Sequence, residues 1–548
     1  MTRRNLGLGF AVFALFGCGG HPQHVDTPPP TTCPSATPAP PPVQSFLIAP
    51  RPKLLLVVVL DQFRADTLTR FDAELGPNGF RRLLHDGASW TGHYGHYVTY
   101  TGPGHALILS GSYPYVNGIG ANKFWNYDSK RSESVVFDPT ATVFGMDKAD
   151  PDMDMSPRNF IGSTLGDELH LATAGASKTV SLATKGRGAI LLGGRLGKTF
   201  YLNDNTGEMT TSTYYYKDAL PKWVSDWNAK KLADSFAGQL KMPAGSAKYY
   251  DEFAESSYAN DYEFDFAKAA IEGENLGARG TTDILAISIS ATDLAGHAHG
   301  PFSPEVAKLV KDTDRQLGVF LDSVYAKYGR DEVVVVLTAD HGATPVPEDL
   351  VKLGIDAGRI PKKAIKDAIE AALTKHFGEP VVKGAKPAAG AKASWLVALE
   401  DPHVFFNRAL IADKKLDPAE VERVAGEAVA RIKGIAGWLG RTQIRSGQVP
   451  PTSLAASVVR SYHAGRGGDL VLITAPFYFW GKYGEKPTGT THGTYYRYDS
   501  EVPVMMVGRG IKPGRYGIRE QVDIAATLSR YLGVNAPAGC EGEPAPIF

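Results

Sequence analysis

Leu54-Leu55-Leu56-Val57-Val58-Val59-Leu60-Asp61 is an unbroken apolar run of strand length that stops at an acid. Its apolarity is continuous rather than alternating, which is what a strand covered on both faces requires. The pattern recurs at Asp283-Ile284-Leu285-Ala286-Ile287-Ser288-Ile289-Ser290, just ahead of Asp293, and at Val333-Val334-Val335-Val336-Leu337-Thr338-Ala339, just ahead of Asp340. Between these two runs, Val306, Leu309, Val310, Leu317, Phe320, Leu321 and Val324 keep helical spacing behind the start signal Ser303-Pro304-Glu305. The unit reads β-α-β. The fold class expected is therefore α/β, with a central, mostly parallel sheet sandwiched by helices, and further strands are expected at Thr179–Ala183, Asp469–Thr474 and Val502–Val507. In such sheets the site lies beyond the carboxyl ends of the strands, and three strands here deliver an aspartate to that edge.

Outward from this core, the chain of 548 residues is long enough to bury a large interior. Two long insertions are expected in one catalytic domain spanning residues 46–548, at about 143–280 and 345–487. The first carries a Tyr- and Trp-rich stretch, Tyr201 to Tyr262, that reads as a surface-covering cap. The second carries helical patterns at Lys362–His376 and Pro418–Ile432 around an Ala/Lys/Gly/Pro-rich turn at Lys383–Lys392.

Lys+Arg and Asp+Glu both total 58, so no global field recruits nucleic acid or an anionic membrane surface, and any anion site must be local. Arg3 and Arg4 precede an apolar stretch, Leu6 to Phe16, that is too short to span a bilayer and reads as an export signal over residues 1–17. Leu15-Phe16-Gly17-Cys18 resembles a lipoprotein lipobox, which implies a lipidated Cys18, a periplasmic location and a membrane tie through that anchor alone; Phe16 is bulkier than the usual residue there, so ordinary signal-peptide cleavage is the alternative. Residues 18–45, rich in Pro, read as a semi-extended linker. Cys33 and Cys540, both near chain ends, are candidates for one disulfide, with free thiols as the alternative.

The chemistry-bearing residues cluster around the strand ends. Asp293-x-x-x-His297 and the adjacent pair Asp340-His341 offer carboxylate and imidazole together, and Asp61 and His492, in Gly489-Thr490-Thr491-His492-Gly493-Thr494, bring the set to six. Zinc takes both donor types, and two neighbouring ions need about six such ligands. His105, His299 and His463 are also available, so residue types alone leave the set open. Tyr100-Thr101-Gly102-Pro103-Gly104-His105 ahead of Ala106-Leu107-Ile108-Leu109 reads as a helix start, where Thr101 serves either as a cap or beside a bound phosphate. Lys185-Gly186-Arg187 follows an expected strand, with its two cations spaced to share one side of an extended segment, and Asn122 sits among glycines.

Taken in order, Asp61, Thr101-Gly102-Pro103-Gly104-His105, Asn122, Lys185-Gly186-Arg187, Asp293 to His297, Asp340-His341-Gly342 and His492-Gly493-Thr494 resemble the alkaline phosphatase superfamily, most closely its PafA-type, phosphate-irrepressible monoesterases with a threonine nucleophile. The resemblance runs from about residue 50 to the C-terminus. It implies an alkaline phosphatase-like fold holding two Zn²⁺ ions, one on Asp293, His297 and His492, the other on Asp61, Asp340 and His341 with Thr101 facing it. Asn122, Lys185 and Arg187 would then hold the phosphoryl oxygens. The implied activity is hydrolysis of small phosphate monoesters through a phospho-threonine intermediate.

Two other readings compete. A nucleotide pyrophosphatase/phosphodiesterase shares the two-zinc set, the threonine and the asparagine, but a diester carries one charge fewer and has less use for the Lys185/Arg187 pair. A cell-surface binding lipoprotein could keep the fold without the catalysis. An aryl-sulfatase reading fails, because Thr101 stands where that family needs cysteine or serine.

Overall fold

The computed structural model describes residues 51–146, 150–381, 394–486 and 488–548. The expected signal segment and linker, Cys18, Cys33 and the turn at Lys383–Lys392 lie outside the described residues. Cys540 is a free thiol among the described residues.

A nine-stranded mixed sheet organises the chain. Its strands, in chain order, are β1 (Leu54–Leu60), β2 (Ala88–His93), β3 (Thr179–Ala183), β4 (Lys198–Asn203), β5 (Glu208–Thr210), β6 (Asp283–Ile289), β7 (Val333–Ala339), β8 (Glu501–Val507) and β9 (Gly514–Glu520). They lie in the order β9-β2-β8-β7-β1-β6-β3-β4-β5. β7, β1, β6, β3 and β4 are mutually parallel, while β8 and β5 run against their neighbours. Continuous apolarity in β1 has the cause the sequence suggests: Leu54, Leu56, Val58 and Leu60 enter one core, and Leu55, Val57 and Val59 enter another on the opposite face. Each such side chain, fully buried, contributes about 1.5–3 kcal/mol, so the middle of the sheet is the most strongly specified part of the fold.

Register is what builds the site. Leu60 pairs with Ile289 on one side and with Ala339 on the other, so the three central strands end level. Asp61, Ser290 and Asp340 therefore leave the sheet side by side. The helix Pro304–Tyr328 returns the chain from β6 to β7 and is capped by Ser303, whose Oγ accepts from the Val306 N–H.

Two expectations need correction. The segment 143–280 supplies β3, β4 and β5 of the main sheet, the first of them the strand expected at Thr179–Ala183. Much of its aromatic stretch is interior rather than a surface cap: Trp227, Tyr249 and Tyr262 are almost fully buried, Trp227 packs edge-on to Tyr262 at 4.6 Å and to Phe266 at 4.8 Å, and Tyr214 is exposed. Rings of this size gain most from leaving water, so their density marks a core as readily as a surface layer. The strand expected at Asp469–Thr474 forms as Leu470–Thr474, but in a separate four-stranded antiparallel sheet with Leu396–Glu400, His403–Phe406 and Ile435–Gly440. That sheet and the helices Lys362–Phe377 and Pro418–Val429 enclose a core of their own around Trp395, Trp480, Ile369 and Val421. No helix among the described residues is long and apolar enough to cross a membrane.

Candidate active site

Three helices, the ends of β1 and β7 and one loop carry the side chains. Helix α1 (Thr101–Ile108) starts at the strand edge, with Tyr100 as its cap residue and Thr101 as its first helical residue. No side-chain capping bond forms there, so Thr101 is not the cap that its position suggests. Its Oγ1 instead lies 3.4 Å from Nε2 of His341. Gly104 lets α1 press against β7: a Cβ at that position would sit 2.3 Å from the Asp340 carbonyl oxygen.

Helix α2 (Gly186–Gly193) begins with Lys185 as its cap residue, so Lys185-Gly186-Arg187 is a helix start and not the extended segment expected. The apolar side chains of Ile190, Leu191 and Leu192 are buried and favour the helix over continued strand. Helix α3 (Ala291–His299) puts Asp293 in its first turn and His297 in its last, four residues apart and hence on one face. His341 follows Asp340 just beyond the end of β7, and His492 arrives on a loop, with its Nδ1 fixed by the Thr99 carbonyl.

Two groups of side chains converge closely enough to hold metal ions: Asp293, His297 and His492 form one, and Asp61, Asp293 and His341 the other. Asp340 stands beside the second group, its Oδ2 3.2 Å from His341 Nε2. His297 Nε2 and His492 Nε2 lie 3.3 and 3.4 Å from Asp293 Oδ1, and His341 Nε2 lies 3.4 Å from Asp61 Oδ1. In all three imidazoles Nδ1 faces a backbone carbonyl, that of Thr490, Thr99 or Gly342. A proton on Nδ1 satisfies that bond and leaves the Nε2 lone pair aimed at the centre, the orientation a metal-binding histidine needs.

The electrostatics agree. Burial pushes His297 down to about 4 and His341 down to about 3, so both are neutral donors at physiological pH. Burial, then Asp293 and Asp340, raises the Asp61 carboxyl well above its ordinary range. Burial acts the same way on Asp293 and Asp340, but His297 and Lys185 hold the first well below the usual value, and His341 and His105 hold the second below it. Asp61 Oδ1 and Asp340 Oδ2 are buried without a hydrogen-bond donor among the described residues. Three clustered buried carboxylates, two of them with an orphaned oxygen, are costly unless cations neutralise them, so these residues fit divalent metal.

Lys185 is one such cation. Its Nζ donates to Asp61 Oδ2 at 2.8 Å and to Asp293 Oδ2, and these two carboxylates raise its pKa although burial opposes them. Arg187 is held from behind, its backbone N–H donating to Asp154 Oδ2 at 2.7 Å while Nη1 stands 3.6 Å from Asp154 Oδ1. Asn122 accepts the Gly102 N–H on Oδ1 at 2.7 Å, which leaves its NH₂ as a donor. Thr101, Asn122, Lys185, Arg187, Asp293, His297 and His492 line one cavity of about 490 Å³. The later insertion contributes Lys362, Asp401, Trp480 and Tyr483 to the same walls.

Of the alternative histidines, His105 is buried behind the site, its Nδ1 3.1 Å from Asp340 Oδ2 and 2.9 Å from the Thr101 carbonyl. His299 is exposed and His463 half-buried, and neither belongs to a ligand group. Sequence reasoning missed Gln62, whose N–H donates to Asp340 Oδ1 and whose Nε2 donates to Asp293 Oδ1 at 2.8 Å from a left-handed backbone at φ 60°. A non-glycine residue there is rare and costs energy, and only its adjacency to Asp61 could have pointed to it. It also missed Asp154 and Tyr483, whose ring stacks on His297 at 4.5 Å.

Comparison with known proteins agrees with this geometry. The sequence pattern describing type I phosphodiesterase / nucleotide pyrophosphatase matches residues 55–495. Alkaline phosphatase PhoV of Synechococcus elongatus is 31% identical over 90% of this chain and 92% of its own length. Alkaline phosphatase PafA of Elizabethkingia meningoseptica is 30% identical over 90% of this chain and 94% of its own. A crystal structure of PafA superposes with a TM-score of 0.81 at 28% identity, covering 90% of this chain and 98% of that one. The protein is a phosphoester hydrolase with the alkaline phosphatase fold and a metal-binding centre. It belongs to the type I phosphodiesterase / nucleotide pyrophosphatase family, within the alkaline phosphatase superfamily.

Proposed function

We propose that this chain is a di-zinc phosphate monoesterase that works through a phospho-threonine on Thr101. The observation that supports this most is the position of the Thr101 hydroxyl, at a helix N-terminus, free of capping and 3.4 Å from a candidate ligand nitrogen. Asp293, His297 and His492 would hold one ion and Asp61, Asp340 and His341 the other, a donor set that suits zinc better than magnesium. Zinc bound there supplies Lewis acidity, which favours the alkoxide of a nearby hydroxyl and steadies charge on a leaving oxygen.

Thr101 Oγ, its proton given up to solvent, attacks phosphorus in line: its O–P bond forms as the ester O–P bond breaks, and the leaving oxygen departs with the electron pair and takes a proton from water to become the alcohol. Water then cleaves the phospho-threonine and releases inorganic phosphate. Through both steps the Asn122 amide, the Arg187 guanidinium and the Lys185 ammonium meet the equatorial oxygens. Once Asp61 and Asp293 serve as ligands, the Lys185 charge is available to substrate. Acid-quenched turnover of an aryl phosphate, followed by peptide mass spectrometry, should find phosphate on the Thr101 peptide and none in Thr101→Ala. Phosphate on another residue, or none at all, would overturn the intermediate.

A phosphodiesterase reading keeps standing because of the family pattern that matches, and it differs in substrate rather than in nucleophile. We also propose that residues 1–17 direct export and residues 18–45 tether the domain to a membrane through lipidated Cys18. Deleting residues 1–45 should give a soluble enzyme with unchanged kcat/KM, and an insoluble product would show that the segment packs on the domain.

A further inference from the structure

A second cavity, of about 620 Å³, lies in the later insertion and shares no lining residue with the catalytic cavity. Phe406, Ile411 and Leu416 give it an apolar lining, and three arginines, Arg408, Arg441 and Arg445, give it charge. The two acids present do not balance them. Asp469 is already committed, its Oδ1 accepting from Arg408 Nε at 2.9 Å and its Oδ2 from the Phe406 N–H at 2.8 Å and the Tyr127 hydroxyl at 2.9 Å. Glu422 is buried, spends both oxygens on Thr442, and is pushed up to about 7 by that burial, so it is only partly charged near neutral pH.

The guanidiniums are under-used by contrast. Arg408 Nη2 is buried and has no hydrogen-bond partner among the described residues. Arg441, half-buried, makes one long contact, 3.5 Å to the Tyr462 hydroxyl, and among the described residues neither it nor the exposed Arg445 is in an ion pair. A buried unpaired donor is costly, and planar guanidinium forks match acidic head groups in pairs of hydrogen bonds. The volume is that of a small-molecule pocket, and apolar walls set among convergent charged groups hold a ligand with an acidic end and an apolar body in one orientation.

We infer that this cavity binds an organic anion, an acidic head group held by Arg408, Arg441 and Arg445 on an apolar body lying against Phe406, Ile411 and Leu416. The site is separate from catalysis and tolerates a ligand that is no phosphoester.

The test is an equilibrium fluorescence titration of the metal-loaded, full-chain enzyme with 8-anilinonaphthalene-1-sulfonate, an aromatic sulfonate. One equivalent should bind, and saturating inorganic phosphate, which competes at the catalytic cavity, should leave binding unchanged. Arg441→Ala/Arg445→Ala should weaken it by about tenfold or more, the loss of at least one charge-assisted hydrogen bond, with kcat/KM for an aryl phosphate intact. Ala412→Trp, which puts a bulky ring on the cavity lining and leaves all three arginines in the chain, should abolish it and guards against a misfolded double variant. Absence of binding, displacement by inorganic phosphate, or wild-type affinity in Ala412→Trp would each overturn the inference.

Discussion

Replacing Arg187 by alanine removes a guanidinium that the site orients through Asp154 and that keeps about 20% of its side-chain surface exposed. A charge-assisted hydrogen bond is worth about 1.5–3 kcal/mol, and this partial exposure puts Arg187 in the lower half of that range. At about 1.4 kcal/mol per decade, Arg187→Ala should cost roughly ten- to thirtyfold in monoesterase kcat/KM. Lys185 is more enclosed, so Lys185→Ala should cost up to about two decades, and the double variant about two to four. Lys185 also pairs with Asp61 and Asp293, so its removal leaves two buried carboxylates short of a cation. Metal content must therefore be measured on every variant, and kinetics compared only at equal occupancy. The assay is kcat/KM for an aryl phosphate and for the matching diester. A diester has one anionic oxygen fewer, so its loss in the double variant should stay within about one decade. Equal losses on the two substrates would mean that the pair holds structure or a metal rather than the extra oxygen.

Thr101→Ala should keep its metal and lose about three or more decades of turnover. Thr99→Ala, whose hydroxyl donates to the Thr494 carbonyl at 2.8 Å, should cost about 1 kcal/mol of stability with little change in kcat, and the reverse pattern would exchange the two roles. Chelation should abolish activity, with Zn²⁺ restoring it; full recovery on Mg²⁺ alone would refute the zinc assignment. Burial lifts Glu263 to about 8 from an ordinary 4.5, so the folded state favours the protonated form and stability is lost as pH rises between those values. Glu263→Gln keeps an acceptor for the Thr184 N–H and should gain on the wild type by up to about 5 kcal/mol across that window. A Tm difference that stays flat from pH 5 to 9 would contradict the buried-acid reading.

What the sequence carried plainly was the centre of the sheet. β1, β6 and β7 are covered on both faces, and nothing but continuous apolar side chains satisfies that environment, so their pattern is close to unambiguous. The acids that follow them were legible for the same reason, since each is fixed by where its strand stops. Composition was a poorer guide to layers. Trp227 and Tyr262 read as surface cover, yet aromatic density has no period and does not say which side of a layer it faces. Leu470–Thr474 looked like a main-sheet strand because a buried strand gives the same short apolar run in either sheet. Gln62 and Asp154 were invisible for a different reason: each supports the site through a contact distant in sequence, and their residue types carry no signal. Among the candidate ligands, Asp340, which the resemblance put on the second ion, stands 3.2 Å from His341, and that Asp293 reaches toward Asp61 and His341 as well is a matter of side-chain reach that spacing does not encode.

The central claim is monoester hydrolysis, and the most direct measurement is kcat/KM of the zinc-reconstituted enzyme for an aryl phosphate monoester against the matching diester. The monoester should be favoured by about two decades or more, the worth of two charge-assisted hydrogen bonds from Lys185 and Arg187. A preference for the diester, at full zinc occupancy, would contradict the account and make the protein a phosphodiesterase.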